Sequence, residues 1–377
     1  MIPYGRQTIE EEDIKAVIEV LGSDWLTTGP KVAEFEKALA RYVGAKYAVA
    51  VSSGTAALHC AMYALGIGPG HEVIVPTMTF AASSNCVVYQ RGIPVFVDVA
   101  PDTLLIDPQD VERKITPQTK AIIAVDYAGQ PGDYAALKEI ADRHQVSLVA
   151  DACHSLGATY RERSVGSLVD LSVFSFHPVK HITTGEGGMI TTDNEKYAKR
   201  MRIFRNHGIT YDHRGRDAQG PWFYEMVDLG YNYRITDFQC ALGMSQLQKL
   251  PRWLERRQGI ARQYDEAFAG IKGIKPLMVK VDVRHAYHLY VVRINQDLTG
   301  MGRTEFYQAL RSRGIGVNVH YVPVHLHPFY QNRFGTGWGL CPVAESAYEQ
   351  ILSLPMFPAM TDEDIKIVIN TIQNILR

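Results

Sequence analysis

The chain has 377 residues, 46% hydrophobic and 21% charged, an ordinary globular composition long enough for two domains. Its formal net charge of -1 announces no basic face, which argues against a nucleic-acid partner. Five cysteines without a C-x-x-C pair fit neither a disulfide framework nor a zinc site, and read as small buried hydrophobes of a reducing compartment.

The opening stretch Met1-Ile-Pro-Tyr-Gly-Arg-Gln7 lacks the basic and apolar regions of a signal peptide. No apolar run approaches the ~18 residues of a membrane span, so a cytoplasmic protein with no membrane partner is expected. Thr8 and Glu11 are spaced as a capping box and open a predicted helix through about Leu21. The loop Ser23 to Gly29 follows, where Trp25 either packs the loop on the core or stacks on a ligand ring. Pro30 starts a helix whose apolar positions Val32, Phe35, Leu39, Tyr42 and Val43 fall at helical spacing. Tyr47 to Ser53 reads as a strand, and Gly54-Thr-Ala-Ala57 opens a helix toward Leu65. A helix N-terminus presents backbone N–H groups and a partial positive charge, so this small-residue turn can cradle a phosphate. It can equally be a plain helix cap.

Glu72 to Pro76, Pro94 to Asp98 and Ala121 to Asp126 are further strand candidates, and Thr77-Met-Thr-Phe80 leads into a helix. With the helix Asp133 to His144 they alternate in the βαβ manner, which predicts right-handed crossovers and a mostly parallel sheet. Two buried-strand runs come next: Val146 to Ala150, ending in Asp151, and Leu171 onward, leading to Lys180. Ligands of open α/β sheets sit beyond the carboxyl ends of the strands. A carboxylate and an ammonium there lose hydration unless each finds a partner. Pyridoxal phosphate offers both, a pyridinium nitrogen for Asp151 and an aldehyde for the Lys180 amine. Ser175 and the run Thr183 to Gly188 add a hydroxyl and flexible backbone near the lysine. Taken singly, Asp151 reads as a helix cap and Lys180 as a solvated charge.

Met189 to Thr192 reads as a strand and Glu195 to Arg205 as a helix, while Thr210 to Phe223 has no periodicity and reads as a mobile surface loop. Ile235 to Leu250 and Trp253 to Phe268 read as two helices joined at Pro251. That gives a large domain over 1–250 and a small one over 251–377. The latter is α+β, with strands at His288 to Arg293 and Val317 to Tyr321 and helices at Arg303 to Arg313 and Asp362 to Leu376. His320, His325 and His327 invite a metal. In an extended segment His325 and His327 share a face and His320 does not. With no nearby carboxylate or cysteine, none is expected.

The motifs Asp151-Ala-Cys-His-Ser-Leu-Gly157, Ser175-Phe-His-Pro-Val-Lys180 and Thr184-Gly-Glu-Gly-Gly188, with Gly230-Tyr-Asn-Tyr-Arg234 after them, carry a resemblance. They resemble the DegT/DnrJ/EryC1/StrS sugar-nucleotide aminotransferases, which are fold-type I pyridoxal 5'-phosphate enzymes, and the likeness runs over essentially the whole chain. It implies an α/β large domain, its mostly parallel sheet sandwiched by helices, and a smaller C-terminal domain. It also implies that Lys180 holds the cofactor and shuttles a proton, that Asp151 keeps the ring nitrogen protonated, and that Phe80 stacks on the ring. Gly54, Thr55, Ala56 and Ser175 would hold the phosphate, with Asn232 reaching it from the other subunit of a homodimer. His154 stands where many relatives have Gln, and an imidazole can also donate to the cofactor's 3-hydroxyl. Tyr4, Trp25, Leu26, Thr27, Arg234, His320 and Tyr321 would border the sugar nucleotide.

Within the family, the segment from Ser175 to Gly187 looks most like the transaminases of pseudaminic acid biosynthesis. That implies transfer from L-glutamate to C4 of a UDP-linked 4-keto-6-deoxy-N-acetylhexosamine. Another ketosugar, dTDP-linked or UDP-4-keto-arabinose, is the alternative. A sugar dehydratase of this fold has histidine for the lysine, and His181 keeps that reading open. A cofactor-binding regulator is a weaker rival, since no segment is left to supply a DNA-binding domain.

Overall fold

Seven strands organise the computed structural model, which describes residues 1–210, 220 and 222–376. They are β1 (Tyr47–Val51), β2 (Glu72–Pro76), β3 (Ile93–Val97), β4 (Thr119–Val125), β5 (Ser147–Asp151), β6 (Leu171–Ser175) and β7 (Gly188–Thr192). Their order across the sheet is β1-β7-β6-β5-β4-β2-β3. β2 pairs parallel with β3 and β4, β5 with β4 and β6, and only β7 runs antiparallel, against β1 and β6. The α/β architecture with a mostly parallel sheet is therefore observed.

Residues along a strand alternate between two cores, as the period of two requires. Leu148 and Ala150 join Phe35, Leu39 and Leu137 on one face. Val149 joins Leu58, Met62 and Met201 on the other. The first face is covered by helices α2 (Pro30–Val43) and α6 (Tyr134–His144), the second by α3 (Gly54–Leu65) and α7 (Glu195–Phe204). Both faces being dry explains why the strand centres are predominantly apolar, as in Ile122 to Val125 and Leu148 to Ala150. Each fully buried Leu or Phe contributes roughly 1.5–3 kcal/mol.

Toward the C-terminus a three-stranded antiparallel sheet, Ile274–Pro276, Tyr290–Ile294 and Ile351–Leu354, carries its own core. Phe306 and Leu310 of one helix and Ile365, Val368 and Ile372 of another pack on Val292 and Leu352.

Four expectations differ from what is observed. The first helix, α1 (Glu11–Leu21), is capped by Glu10, whose N–H donates to Asp13 Oδ2 at 2.9 Å, so the box uses Glu10 and Asp13 rather than Thr8 and Glu11. Pro251 does not separate a pair of helices but sits inside one, α8 (Asp237–Phe268). Leu247, Leu250, Trp253 and Leu254 all bury in the large-domain core, and that packing outweighs the hydrogen bond proline forfeits. From Ile260 on, the same helix joins the small core, so we propose the division between Leu254 and Ile260 rather than at 250. Val317 to Tyr321 is not a strand; it makes one isolated bridge, Asn318 to Ser353. Thr210 belongs to a short ladder with Glu225, and the rest of the expected mobile loop lies largely outside the described residues, at 211–219 and 221.

Candidate functional site

Strand ends converge on one edge of the sheet: β5 finishes at Asp151, β6 at Ser175, β4 at Val125, and β2 continues into the turn holding Thr79 and Phe80. A cavity of about 590 Å3 opens against them, where ligands of such sheets bind. It is lined by Gly54, Thr55, Phe80, Asp151, His154, Ser175 and Lys180, and across from these by Tyr4, His320 and Tyr321. Ten sequence-expected residues from six stretches of chain thus face one space. A larger groove, about 790 Å3, runs past Gly29, Arg202, Arg205 and Arg234. Its ions are engaged with one another, Glu36 accepting from Arg202 and Arg205, so size alone does not mark the chemistry.

Asp151 is 7% exposed. Its Oδ2 accepts from Ser83 Oγ at 2.6 Å and its Oδ1 from the Cys153 N–H at 3.3 Å, so the carboxylate is held from two sides.

Lys180 Nζ lies 3.5 Å from His288 Nε2. Burial pushes its pKa down, against the opposing pull of Cys153 and the Asp151 carboxylate. Three imidazoles pack beside it: His154 and His288 have ring centroids 4.3 Å apart, and His181 and His288 5.7 Å. Burial first, then the Lys180 charge, pushes His154 and His288 well below the ordinary imidazole range; for His181 burial is followed by Arg257. These rings are neutral at working pH. His154 Nε2 lies 3.1 Å from Tyr321 Oη, and its Nδ1 is buried without a partner among the described residues. His181 turns away, its Nε2 donating to the Ala286 carbonyl at 3.0 Å, so Lys180 and not His181 faces the cavity.

The small-residue turn is the start of α3. Ser53 caps it, its Oγ accepting from the Ala56 N–H at 3.0 Å, which places Ala56 within the first turn. A Cβ added at Gly54 would come within 2.9 Å of Ser175 Cβ and 3.3 Å of Cys153 Sγ. Only glycine therefore lets the helix N-terminus stand this close to the end of β6. The first turn of the helix, with its unpaired-end N–H groups, thus stands beside the Ser175 hydroxyl at the cavity, a geometry suited to an anion.

Tyr4 arrives on an N-terminal strap. Ile2 N–H donates to the Gly314 carbonyl at 2.9 Å and the Met356 N–H to the Tyr4 carbonyl at 3.0 Å, and the Tyr4 ring lies 5.4 Å from that of His320. Phe80 is 60% exposed, with its ring 6.0 Å from Tyr321. His320 Nδ1 lies 2.8 Å from Ser353 Oγ. His325 is fully buried, its Nε2 2.9 Å from Glu345 Oε1 and its Nδ1 against Thr77 Oγ1. A carboxylate does reach this histidine run, from 20 positions further on. Among the described residues no three metal-ligating side chains cluster.

Five expected residues lie away from the cavity on this chain. Trp25 and Leu26 are 55% and 50% exposed, Thr27 is exposed, and it pairs backbone with Thr236. Asn232 is exposed and pairs backbone with Asn206, and Arg234 Nη1 donates to Asn206 Oδ1 at 2.9 Å beside the larger groove. Three residues that touch Asp151 or Lys180 were not marked by the sequence: Ser83, buried behind the cavity wall, and Cys153 and His288, which line the cavity. Cys153 lies within the motif Asp151 to Gly157; nothing in the spacing marks His288, 108 positions from Lys180.

A sequence model of the DegT/DnrJ/EryC1/StrS aminotransferase family matches residues 7–373. The spore coat polysaccharide biosynthesis protein SpsC of Bacillus subtilis is 42% identical over 378 residues, covering 100% of this chain and 97% of that protein. A putative sugar aminotransferase from Streptococcus pneumoniae, solved in its PMP form, has a TM-score of 0.94 at 35% identity, covering 100% of this chain and 99% of that one. Its PLP form gives 0.92 at 34% identity, covering 99% and 98%. PseC of Helicobacter pylori, an aminotransferase involved in the biosynthesis of pseudoaminic acid, gives 0.93 at 31% identity, covering 100% and 99%. Among the described residues no helix is long and apolar enough to cross a membrane.

Proposed function

The chain belongs to the DegT/DnrJ/EryC1/StrS aminotransferase family, and from that premise we propose its substrate and the residues that act on it. It is a sugar aminotransferase that depends on pyridoxal 5'-phosphate. The proposed reaction moves an amino group from L-glutamate to the C4 keto carbon of a UDP-linked 4-keto-6-deoxy-N-acetylhexosamine. The observation that carries the assignment of residues is one cavity holding a fixed carboxylate, a buried lysine and an anion cradle. For the sugar, support comes from the likeness to PseC over 100% of the chain.

The cofactor fits these residues. The Gly54 turn is a cradle that a Cβ would fill, and His154 Nδ1 is a buried polar atom without a protein partner among the described residues. Gly54, Thr55, Ala56 and Ser175 would hold the phosphate, His154 the 3-hydroxyl, Asp151 the ring nitrogen, Phe80 the ring face and Lys180 the aldehyde carbon. When bound, pyridoxal phosphate supplies an electron sink for the carbon that loses its proton.

The protein's role is to hold and move protons. Asp151, held in place by Ser83 and the Cys153 N–H, would keep a proton on the ring nitrogen. Lys180 must act as a neutral amine, and the burial that lowers its pKa makes the free base available nearer neutrality than on a surface lysine. Its Nζ would take the proton from the donor's Cα and hold it for return in the second half of the transfer. Tyr321, within hydrogen-bond reach of His154 Nε2, fixes the ring so that Nδ1 points its hydrogen elsewhere.

Asn232, Arg234, Trp25, Leu26 and Thr27 lie outside this chain's cavity, and we assign them to the site of a second copy in a twofold homodimer. Asn232 would reach the partner's phosphate, and the others, with Tyr4, His320 and Tyr321, the sugar nucleotide.

A second reading, another nucleotide-linked ketosugar, is favoured by the 42% identity to a protein named for spore coat polysaccharide. The test incubates the enzyme with glutamate and a panel of UDP- and dTDP-4-ketosugars and reads the products by NMR. A 4-amino sugar formed from the UDP-linked N-acetylhexosamine supports the first reading. Amination confined to a dTDP sugar or to UDP-4-keto-arabinose would transfer the assignment to the second, and loss of a ring hydroxyl without amination would make the protein a dehydratase.

A further inference from the structure

The amine of Lys180 sits on a flexible four-carbon stem, yet the proposed reaction requires it to return to one place after the donor displaces it. Among the described residues only one side-chain acceptor stands within hydrogen-bond reach of Nζ, and it is His288 Nε2 at 3.5 Å. That imidazole is 5% exposed and packed between His154 and His181.

Its backbone is held from two sides. Arg257, 1% exposed and rooted in α8, donates through Nη1 to the carbonyls of Tyr287 and Met356 at 3.0 Å and of His288 at 3.5 Å. On the other side the Leu289 N–H donates to the Ala128 carbonyl at 3.0 Å, and Gly129 stands so near that a Cβ there would meet the His288 nitrogen at 2.9 Å. A buried guanidinium needs such carbonyls, so Arg257 and the histidine loop fix each other. Met356 in turn bonds the Tyr4 strap, which ties the loop to the cavity rim.

We propose that His288 is the positioning residue of Lys180: its Nε2 accepts a hydrogen bond from Nζ and fixes where the amine's hydrogens and lone pair point. The inference rests on reading Lys180 as the cofactor lysine. His288 Nδ1 has no partner among the described residues, so no other protein group dictates the tautomer. The hydrogen resides on Nδ1 and the bare Nε2 faces the lysine. The titratable groups packed around Lys180 are Asp151, Cys153, His154, His288 and His320, with His181 close by but turned toward the Ala286 carbonyl. Of these His288 alone bonds Nζ, so it stabilises the ammonium that burial opposes.

The test uses cofactor-free protein and compares wild type, His288→Leu and His288→Gln. Lys180 is titrated by pH-dependent reductive methylation followed by mass mapping. In His288→Leu the ammonium loses its acceptor, so its titration midpoint should fall by about one pH unit, and His288→Gln, which keeps an acceptor oxygen, should restore it. In the loaded enzyme His288→Leu should lower kcat roughly 10- to 100-fold while KM stays within about twofold. Equal Lys180 midpoints in all three proteins would overturn the proposal, whatever their melting temperatures. Should His288→Leu not fold, nitrogen NMR of the wild type decides: a bare Nε2 supports the coupling and a protonated Nε2 sinks it. Borohydride trapping of the cofactor on another lysine would end the functional reading instead, and leave this coupling standing.

Discussion

The inner wall of the cavity and its proposed outer contacts are built differently. Asp151, His154 and His288 are at most 7% exposed and each has a named partner in the same chain. Trp25 and Leu26 are half exposed, Tyr231 is 40% exposed, and neither segment reaches the cavity. Burial can fix a carboxylate or an imidazole because its lost hydration must be replaced by protein bonds. Exposed loop residues have no such demand, so they can be supplied by one chain to another. In the proposed reading the proton chemistry is internal to a subunit, while phosphate and sugar recognition need two.

The largest effect should come from the inner wall. Lys180→Ala should lower turnover by ~10⁴-fold, the upper end of what a positioned general base contributes. Borohydride should fix cofactor to Lys180 in the wild type and to no site in the variant. A variant within tenfold of wild type, roughly 1.4 kcal/mol of barrier, would show that Lys180 is not the base. Asp151→Asn should cost roughly 10²–10³-fold in kcat, with cofactor affinity much less changed, since the cradle at Gly54 is untouched. Near wild-type turnover would mark this carboxylate as structural.

Asp126 lies behind the same wall, accepting from Ser155, Tyr134 and the Gly132 N–H, and burial pushes its pKa up to about 7. Below about pH 4 the folded and unfolded chains both hold this proton. Between there and about pH 7 the unfolded chain gives it up and the folded chain keeps it, so stability falls as pH rises and then levels off. The loss is on the order of 4 kcal/mol at most. Urea unfolding from pH 4.5 to 8 should show this decline in wild type and its absence in Asp126→Asn; parallel curves would contradict it.

The smallest effect belongs to the exposed loop. If the Trp25 ring stacks on substrate bound to the partner, Trp25→Ala should raise the sugar-nucleotide KM roughly 2- to 10-fold and leave kcat unchanged. A lowered melting temperature with unaltered KM would instead make Trp25 a packing residue of its own loop.

Much of the inner wall was legible because a strand buried on both faces writes itself as an apolar run. The ends of β5 and β6 could therefore be found, with Asp151 and the lysine loop beyond them. Other features depend on packing that no window of sequence contains. Pro251 looked like a break, yet tertiary burial of Leu250, Trp253 and Leu254 carries the helix through it. Val317 to Tyr321 has a strand's composition but only one bridging partner. Glu345 reaches His325 across 20 positions, and His288 reaches Lys180 across 108. Arg257 was invisible as a site element, because its role is to bond backbone carbonyls of two separate loops.

The division of the site between two chains is tested most directly by mixing subunits. Lys180→Ala and Asn232→Asp homodimers should each be inactive, the second because its carboxylate faces the partner's phosphate. Unfolded and refolded together, about half the dimers are hybrids with one doubly damaged and one intact site, and activity should return to about a quarter of wild type by symmetry. If Asn232 serves its own chain instead, every site in the mixture stays damaged, and well-exchanged mutants that recover nothing would contradict the shared site.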